Sequence, residues 1–159
     1  MKKTVMLSLL FAFGFATINS HAKIYNVVDY GAKGNANVKD TYAIQAAITA
    51  CSNAGGGTVY FPAGNYLSGT IRLLSNVKLY LDMGATIWSS HLPEDFKPNC
   101  LIIAQDVENI CIEGCGTLYG LGEEDLGRRA GVKTVMPKFR LNMVNIFNCK
   151  NVSIHGIKF

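Results

Sequence analysis

Three asparagine-led hexads, "NVKLYL" from Asn76, "NICIEG" from Asn109 and "NVSIHG" from Asn151, limit the possible folds more than anything else in the sequence. They begin 33 and 42 residues apart, and each follows a short apolar stretch: "TIRLL", "CLIIA" and "MVNIF". The first two are followed by a further one, "ATIWS" and "GTLYG". Short strands recurring at intervals of this order are the mark of a solenoid, in which no rung buries its apolar face alone and stacking does so. Loops of different length account for the unequal spacing. Alternation assigns the faces. Val77, Leu79, Leu81, Ile110, Ile112, Val152 and Ile154 point inward, while Lys78/Cys111/Ser153 and Tyr80/Glu113/His155 point out.

A solenoid bends sharply between strands, and asparagine tolerates the left-handed backbone that a tight bend demands. Stacked at equivalent corners, its amide can bond to the rung above. Asn76, Asn109 and Asn151 are therefore read as structural. "NVS" from Asn151 also matches a glycosylation acceptor, which requires a eukaryotic secretory route that nothing else in the sequence suggests.

One segment has helical periodicity. In "DTYAIQAAITACSNAGGG", Asp40 is an expected N-cap and Ile44, Ala47, Ile48 and Cys51 recur at three- and four-residue spacing. Gly55 to Gly57 end the helix, since glycine accepts the left-handed turn there. Everything after is β-like, beginning with Val59, Phe61 and Tyr66 around the turn "PAGN". A parallel stack exposes its first rung, and a helix over Asp40–Asn53, ahead of the repeats, is placed to cap it. No comparable cap follows the third repeat, so the chain reads as the front part of a longer solenoid. Ile154, Ile157 and Phe159 would sit on a bare last rung, making the isolated chain marginally soluble.

Residues 1–22 carry the pattern of a secretory leader: Lys2 and Lys3, an apolar run from Val5 to Ile18, and small residues at Ser20 and Ala22. The run is shorter than the roughly 20 residues of a membrane span. The mature chain would start near Lys23, as one domain over residues 23–159, secreted or periplasmic and with no membrane partner once the leader is removed. Without the two leader lysines the formal charge falls from +4 to +2, which gives no reason to propose nucleic acid or an anionic membrane. The cysteines are Cys51, Cys100, Cys111, Cys115 and Cys149, an odd number that leaves at least one thiol unpaired in the monomer. None shows C-x-x-C spacing, which argues against zinc, and most are expected to be small apolar fillers.

Tyr25 to Ile87 resembles the N-terminus of glycoside hydrolase family 28, the polygalacturonases. The marks are "DYGAKG" (from Asp29), Asp40-Thr41 at the helix start, "GGGTVYFPAGNY" (from Gly55) and the L-x-L-x-x-GA pattern from Leu79. "IEGCGTLYGLG" resembles the family's G-x-G-x-I-D-G-x-G turn, with Leu118-Tyr119 in place of Ile-Asp. "FNCKNVSIHGIKF" resembles the segment just before the family's catalytic motifs.

The resemblance implies an all-β fold, a right-handed parallel β-helix with an N-terminal capping helix, cut off at its C-terminal end. It implies a substrate of pectin or a related uronic-acid polysaccharide, and a monomer when full length. In the family, aspartates of N-T-D, D-D and G-H motifs on adjacent rungs perform an inverting hydrolysis of α-1,4-galacturonosidic bonds. None of these motifs occurs in the 159 residues, so they are expected after Phe159. No catalytic, cofactor-binding or metal-ligating residue is assigned, and the chain alone is expected to be inactive. Polysaccharide lyases, epimerase-like enzymes and a non-catalytic, carbohydrate-binding or adhesive β-helix are the competing readings.

Other candidates carry less. Tyr80, Glu113 and His155 form a column if their rungs are adjacent, and a carboxylate beside an imidazole can do acid–base work. Exposed polar columns are nonetheless ordinary on a solenoid. "GEED" (Gly122 to Asp125) groups three carboxylates, but calcium wants six to eight oxygens in a shaped loop. "GCGTLYG" lacks the phosphate-binding glycine spacing and a following helix. Asp82 is read as a turn residue. Arg128, Arg129 and Lys133 fall in a long loop where they could meet an acidic sugar.

Overall fold

The structure, a computed structural model, describes residues 23–120 and 141–159. The leader assigned to residues 1–22 lies outside them, as do "GEED", Arg128, Arg129 and Lys133.

The chain opens with strand β1 (Ile24–Asn26), a 3-10 turn over Val27–Tyr30, β2 (Asn35–Lys39) and helix α1 (Thr41–Asn53). It then winds through β3 (Gly57–Phe61), β4 (Gly64–Ser68), β5 (Ile71–Arg72), β6 (Val77–Leu81), β7 (Ala85–Ser89) and β8 (Cys100–Gln105). After these come β9 (Glu108–Gly114), β10 (Thr117–Tyr119), β11 (Asn142–Phe147) and β12 (Lys150–His155). Three parallel sheets result, ordered β1-β3-β6-β9-β12, β10-β7-β4-β2 and β11-β8-β5. From β3 onward the chain visits the first, second and third sheet in strict rotation. The fold is a right-handed parallel β-helix: the solenoid that the repeats imply, of the kind that the family resemblance implies.

Its interior is stacked by register. Val59 pairs with Leu79, Leu79 with Ile112 and Ile112 with Ile154, all on the first sheet. The first three are 0–2% exposed, each worth about 1.5–3 kcal/mol of burial. Val152 and Ile154 keep the inward register but are each 38% exposed, because no described rung stacks on β12. Phe159 is exposed, and Ile157 packs partly against the core. At the other end Ile44, Ala47, Ile48 and Cys51 of α1 are fully buried over the first rungs, so the helix is the expected cap.

The corner asparagines behave as read. Asn76, Asn109 and Asn151 have φ of 64°, 56° and 53°. Asn109 Nδ2 donates to Asn76 Oδ1 at 2.8 Å, and Asn151 Nδ2 to Asn109 Oδ1 at 2.9 Å. A second ladder, not anticipated from sequence, lies three residues earlier: Asp106 and Asn148 also have positive φ, and Asn148 Nδ2 donates to Asp106 Oδ1.

Asp40 corrects the expected side-chain N-cap. Its carboxylate makes no cap bond to the helix; it accepts instead from the backbone N–H of Lys33 at 2.7 Å and Gly34 at 3.0 Å. Two free backbone donors of the preceding loop outcompete those of the first helical turn. The carboxylate ties the "DYGAKG" loop to the cap instead.

Of the five free thiols, Cys51 and Cys100 fill the core and Cys149 packs partly against it. Cys115 is exposed, and Cys111 faces outward from the first sheet.

Candidate functional site

The outer face of the first sheet gathers most of the chemistry-bearing side chains. Register places Thr58, Lys78, Cys111 and Ser153 in one column on successive rungs. Tyr60, Tyr80, Glu113 and His155 form the next. The Tyr80–Glu113–His155 column anticipated from sequence is therefore real as a register relationship, and Tyr60 extends it by one rung.

Within it, charges are paired. Lys78 Nζ lies 3.0 Å from Glu113 Oε1, and Cys111 Sγ donates to Glu113 Oε2 at 3.4 Å. The bond from Lys78 holds the Glu113 carboxyl below the ordinary glutamate range, with Cys111 and the charges of Lys78 and His155 adding to it. Reciprocally, Glu113 raises the Lys78 ammonium. Burial, the largest influence, pushes the Cys111 thiol up, and its bond to Glu113 adds to this. At neutral pH Glu113 is an ionised acceptor with no proton to give, and Cys111 is a thiol with little thiolate character.

A second pair lies beside the first. The Tyr60 hydroxyl donates to Asp82 Oδ2 at 2.6 Å, and the Met83 N–H donates to Asp82 Oδ1 at 2.8 Å. Asp82 is thus the turn residue read from sequence, with the Tyr60 bond added. The Tyr60 bond, then the Met83 bond, lower its pKa; Asp82 in turn raises that of Tyr60. The Tyr60 and Tyr80 rings stack at 6.1 Å between centroids and 24° between planes. The result is an aromatic floor edged by a lysine and two ionised carboxylates. Such a surface can hold the apolar face and hydroxyls of a sugar; neither carboxylate on it is set up as a general acid.

Sequence reasoning placed Glu113 and His155 together but missed that Lys78 claims Glu113. The signal was available: Lys78 and Glu113 lie in neighbouring outward columns on successive rungs, the diagonal at which long side chains meet. Elsewhere, a groove of about 410 Å³ at the asparagine corner is lined by Ser75, Asp106, Val107, Glu108, Asn148 and Lys150. Within it Asn148 Nδ2 donates to Asp106, and Ser75 Oγ accepts from the Glu108 N–H, so the corner ladders engage the side chains of Ser75, Asp106 and Asn148. Among the described residues no group of three or more His, Cys, Asp or Glu side chains is placed to hold a metal ion.

Residues 24–95 match the family model described as rhamnogalacturonase A/epimerase, pectate lyase-like. Alginate lyase 7 of Azotobacter vinelandii is 64% identical over 42 residues, which are 26% of this chain and 5% of that protein. Mannuronan C5-epimerase AlgE1 of the same organism is 47% identical over 72 residues, covering 40% and 5%. An exopolygalacturonase of Platanus acerifolia is 28% identical over 109 residues, covering 67% of this chain and 29% of the relative. The chain thus spans less than a third of each of these curated relatives.

Among solved structures, a putative glycosyl hydrolase from Parabacteroides merdae superposes with a TM-score of 0.72 at 29% identity, over 85% of this chain and 63% of that one. A hyperthermoactive exopolygalacturonase from Thermotoga maritima gives 0.70 at 26%, over 85% and 41%. The resemblance to family 28 stands at this level. The N-terminal portion is pectin lyase-like, and exopolygalacturonases occur among both the sequence relatives and the structural neighbours.

Proposed function

We propose that these rungs are the N-terminal portion of a secreted or periplasmic pectin-degrading glycoside hydrolase that cleaves α-1,4-galacturonosidic bonds with inversion. One observation carries the proposal: the capped first rungs match a pectate lyase-like model while 85% of the chain superposes on an exopolygalacturonase. Inverting hydrolysis needs two carboxyls roughly 6.5–9.5 Å apart to admit a water. Parallel rungs are about 4.8 Å apart, so outward side chains one or two rungs apart can meet that requirement. The 159 residues lack the family's aspartate motifs, and Glu113 is neutralised by Lys78, so the chemistry is assigned to the whole protein rather than to these residues. The Tyr60–Tyr80 floor would then support polymer passing along the same face.

A second reading has specific support: the uronan epimerase and lyase relatives are more identical than the exopolygalacturonase, though over shorter stretches. Assay of the full gene product separates the two. Incubated with polygalacturonate, it should release reducing ends without unsaturated products, and proton NMR should show the inverted anomer first. Unsaturated ends would establish a lyase. A changed C5 configuration in polymannuronate without cleavage would establish an epimerase. Either would sink the hydrolase proposal.

A further inference from the structure

Two turns of the coil, residues 102–112 and 144–154, share one pattern. Two inward apolar residues alternate with outward ones, an acid or amide follows at the corner, asparagine comes three residues later, and two more inward apolar residues complete the turn. Register stacks them one on one: Val144 on Ile102, Ile146 on Ala104, Val152 on Ile110 and Ile154 on Ile112. The lower four are 0–2% exposed, whereas Ile146, Val152 and Ile154 above them are 37–38% exposed. β11 and β12 stand last in their sheets. The corner bonds give this open end a polarity. Asp106 carries a carboxylate, which can only accept, so Asn148 must turn its Nδ2 down toward it. In the neighbouring ladder Asn109 gives Nδ2 to the turn below and accepts from Asn151 on Oδ1. With Nδ2 engaged below, Asn148 and Asn151 both offer Oδ1 to whatever lies above.

We propose that this end is the docking face for one further turn of polypeptide, laid parallel on β11 and β12 and carrying asparagine at both corner positions. The inference rests on the reading of these rungs as the front of a longer coil, and its occupant is that protein's own next turn. β8 takes β11 and β9 takes β12 in parallel, and the free edges of β11 and β12 take a third strand in the same sense. Apolar side chains at four alternate positions would cover Val144, Ile146, Val152 and Ile154 as these cover the four beneath. The corner asks for donors. Asparagine combines an N–H donor with tolerance of the left-handed backbone seen at Asn148 and Asn151, with φ of 50° and 53°. Aspartate at either place would set oxygen against oxygen. A second copy of this chain fits in neither sense. Turned end to end, it runs antiparallel, and its own corner amides bring oxygens while their Nδ2 groups point back into its coil. Stacked head to tail, it presents α1, whose Ile44, Ala47 and Ile48 already cover its first rungs.

The probe is a synthetic peptide of residues 142–156 with Cys149→Ser, labelled for fluorescence anisotropy and titrated into the full chain. Its lower face is the one that β8 and β9 already accept. Saturable binding is expected, with new protection of the β11 and β12 amides in hydrogen exchange. A peptide carrying Asn148→Ala and Asn151→Ala should bind about tenfold more weakly or worse. In the chain, Asn151→Gly keeps the turn and loses one acceptor, at about fivefold in affinity. Where that chain variant does not fold, the peptide variants decide, since they leave the chain unaltered. In the full gene product the same amides should be protected without any peptide. Equal binding of a scrambled or asparagine-free peptide, protection confined to other strands, or unprotected β11 and β12 amides in the full gene product would overturn the site. So would an end-to-end dimer of this chain that the peptide does not displace. No sugar is bound or cleaved in these measurements, so failure here is distinguishable from failure of the hydrolase proposal, which is read from reaction products.

Discussion

Asn109 donates its side-chain N–H to Asn76 Oδ1 at 2.8 Å, a bond between residues 33 positions apart that share a left-handed backbone. The pair joins two rungs at a corner, and Asn151 continues the same line by donating to Asn109. The asparagine therefore serves twice, relieving the turn and bridging the rungs. Replacement separates these roles. Asn109→Gly keeps the turn and loses the ladder, which should cost about 1–2 kcal/mol for two exposed bonds. Asn109→Ala adds the left-handed penalty of about 1–2 kcal/mol. Urea midpoints should therefore fall in the order wild type, glycine, alanine; equal midpoints for the two variants would mean that strain contributes nothing.

Leu79 is fully buried between Val59 and Ile112 in the stacked interior. Leu79→Ala leaves a void that both flanking rungs must span, at a cost of about 2–5 kcal/mol. Val152→Ala, at a position 38% exposed, should cost well under half as much. Thermal melts of the two variants, side by side, test whether the gradient of burial along the coil is a gradient of stability.

What could be read in advance follows from how far each interaction reaches along the chain. The hexads from Asn76, Asn109 and Asn151 display inward and outward positions directly, because strand alternation is local and the repeat supplies the register. The helix over Thr41–Asn53 was legible for the same reason. Asp40 was not, since the choice between its own helix and the Lys33–Gly34 backbone depends on how a loop folds back. Trp88 and Tyr119 occupy equivalent places in "ATIWS" and "GTLYG", so the sequence held their juxtaposition. The bond from the Trp88 indole to Asn65 could not be foreseen, as it reaches across to the neighbouring rung. Glu113 was legible as outward, and its pairing with Lys78 was recoverable from the diagonal between the two outward columns, though the column-by-column reading passed over it.

The Lys78–Glu113 pair has a defined pH signature. Glu113 is held below its ordinary value of 4.5 by the bond from Lys78, so the folded state binds that proton less readily than the unfolded chain. The stabilisation is complete above the unfolded carboxyl's range and is lost as pH falls through the lowered folded value. Both side chains are partly exposed, so the effect is about 1 kcal/mol or less. Glu113→Gln should lower stability at pH 7 by that order and flatten the acid limb of the stability profile. A variant whose loss grows as pH drops would contradict the pairing.

Tyrosine titration probes the neighbouring pair. The Asp82 carboxylate accepts a hydrogen bond from the Tyr60 hydroxyl and raises that phenol above its ordinary value of 10.0, while burial within the coil pushes Tyr66 up to about 12. Alkaline difference spectra of Asp82→Asn should move one phenol back toward 10.0 and leave the late-ionising Tyr66 in place. Tyr60→Phe should remove that same transition. If Asp82→Asn shifts none of the phenols, the bond does not hold Tyr60 in solution.

Close approach of backbones sets the final test. Gly114 ends β9 with φ of 128°, and a Cβ there would overlap the Leu81 carbonyl oxygen of the rung beneath. A Cβ at Gly156 would meet the Gly114 carbonyl in the same way. Both faults, a conformation that L side chains rarely adopt and contact with rigid backbone, fall on one atom, so neither rotamer change nor a small local shift relieves them. Gly114→Ala should therefore destabilise by about 3 kcal/mol or more, beyond the usual range for a surface substitution. Gly31→Ala isolates the conformational part, because that glycine has φ of 100° but no atom within 4 Å of the added carbon. It should cost about 1–2 kcal/mol. Equal losses at the two positions, read from urea unfolding, would show that the rungs separate to admit the methyl group and that inter-rung contact at this corner is not a constraint on the coil.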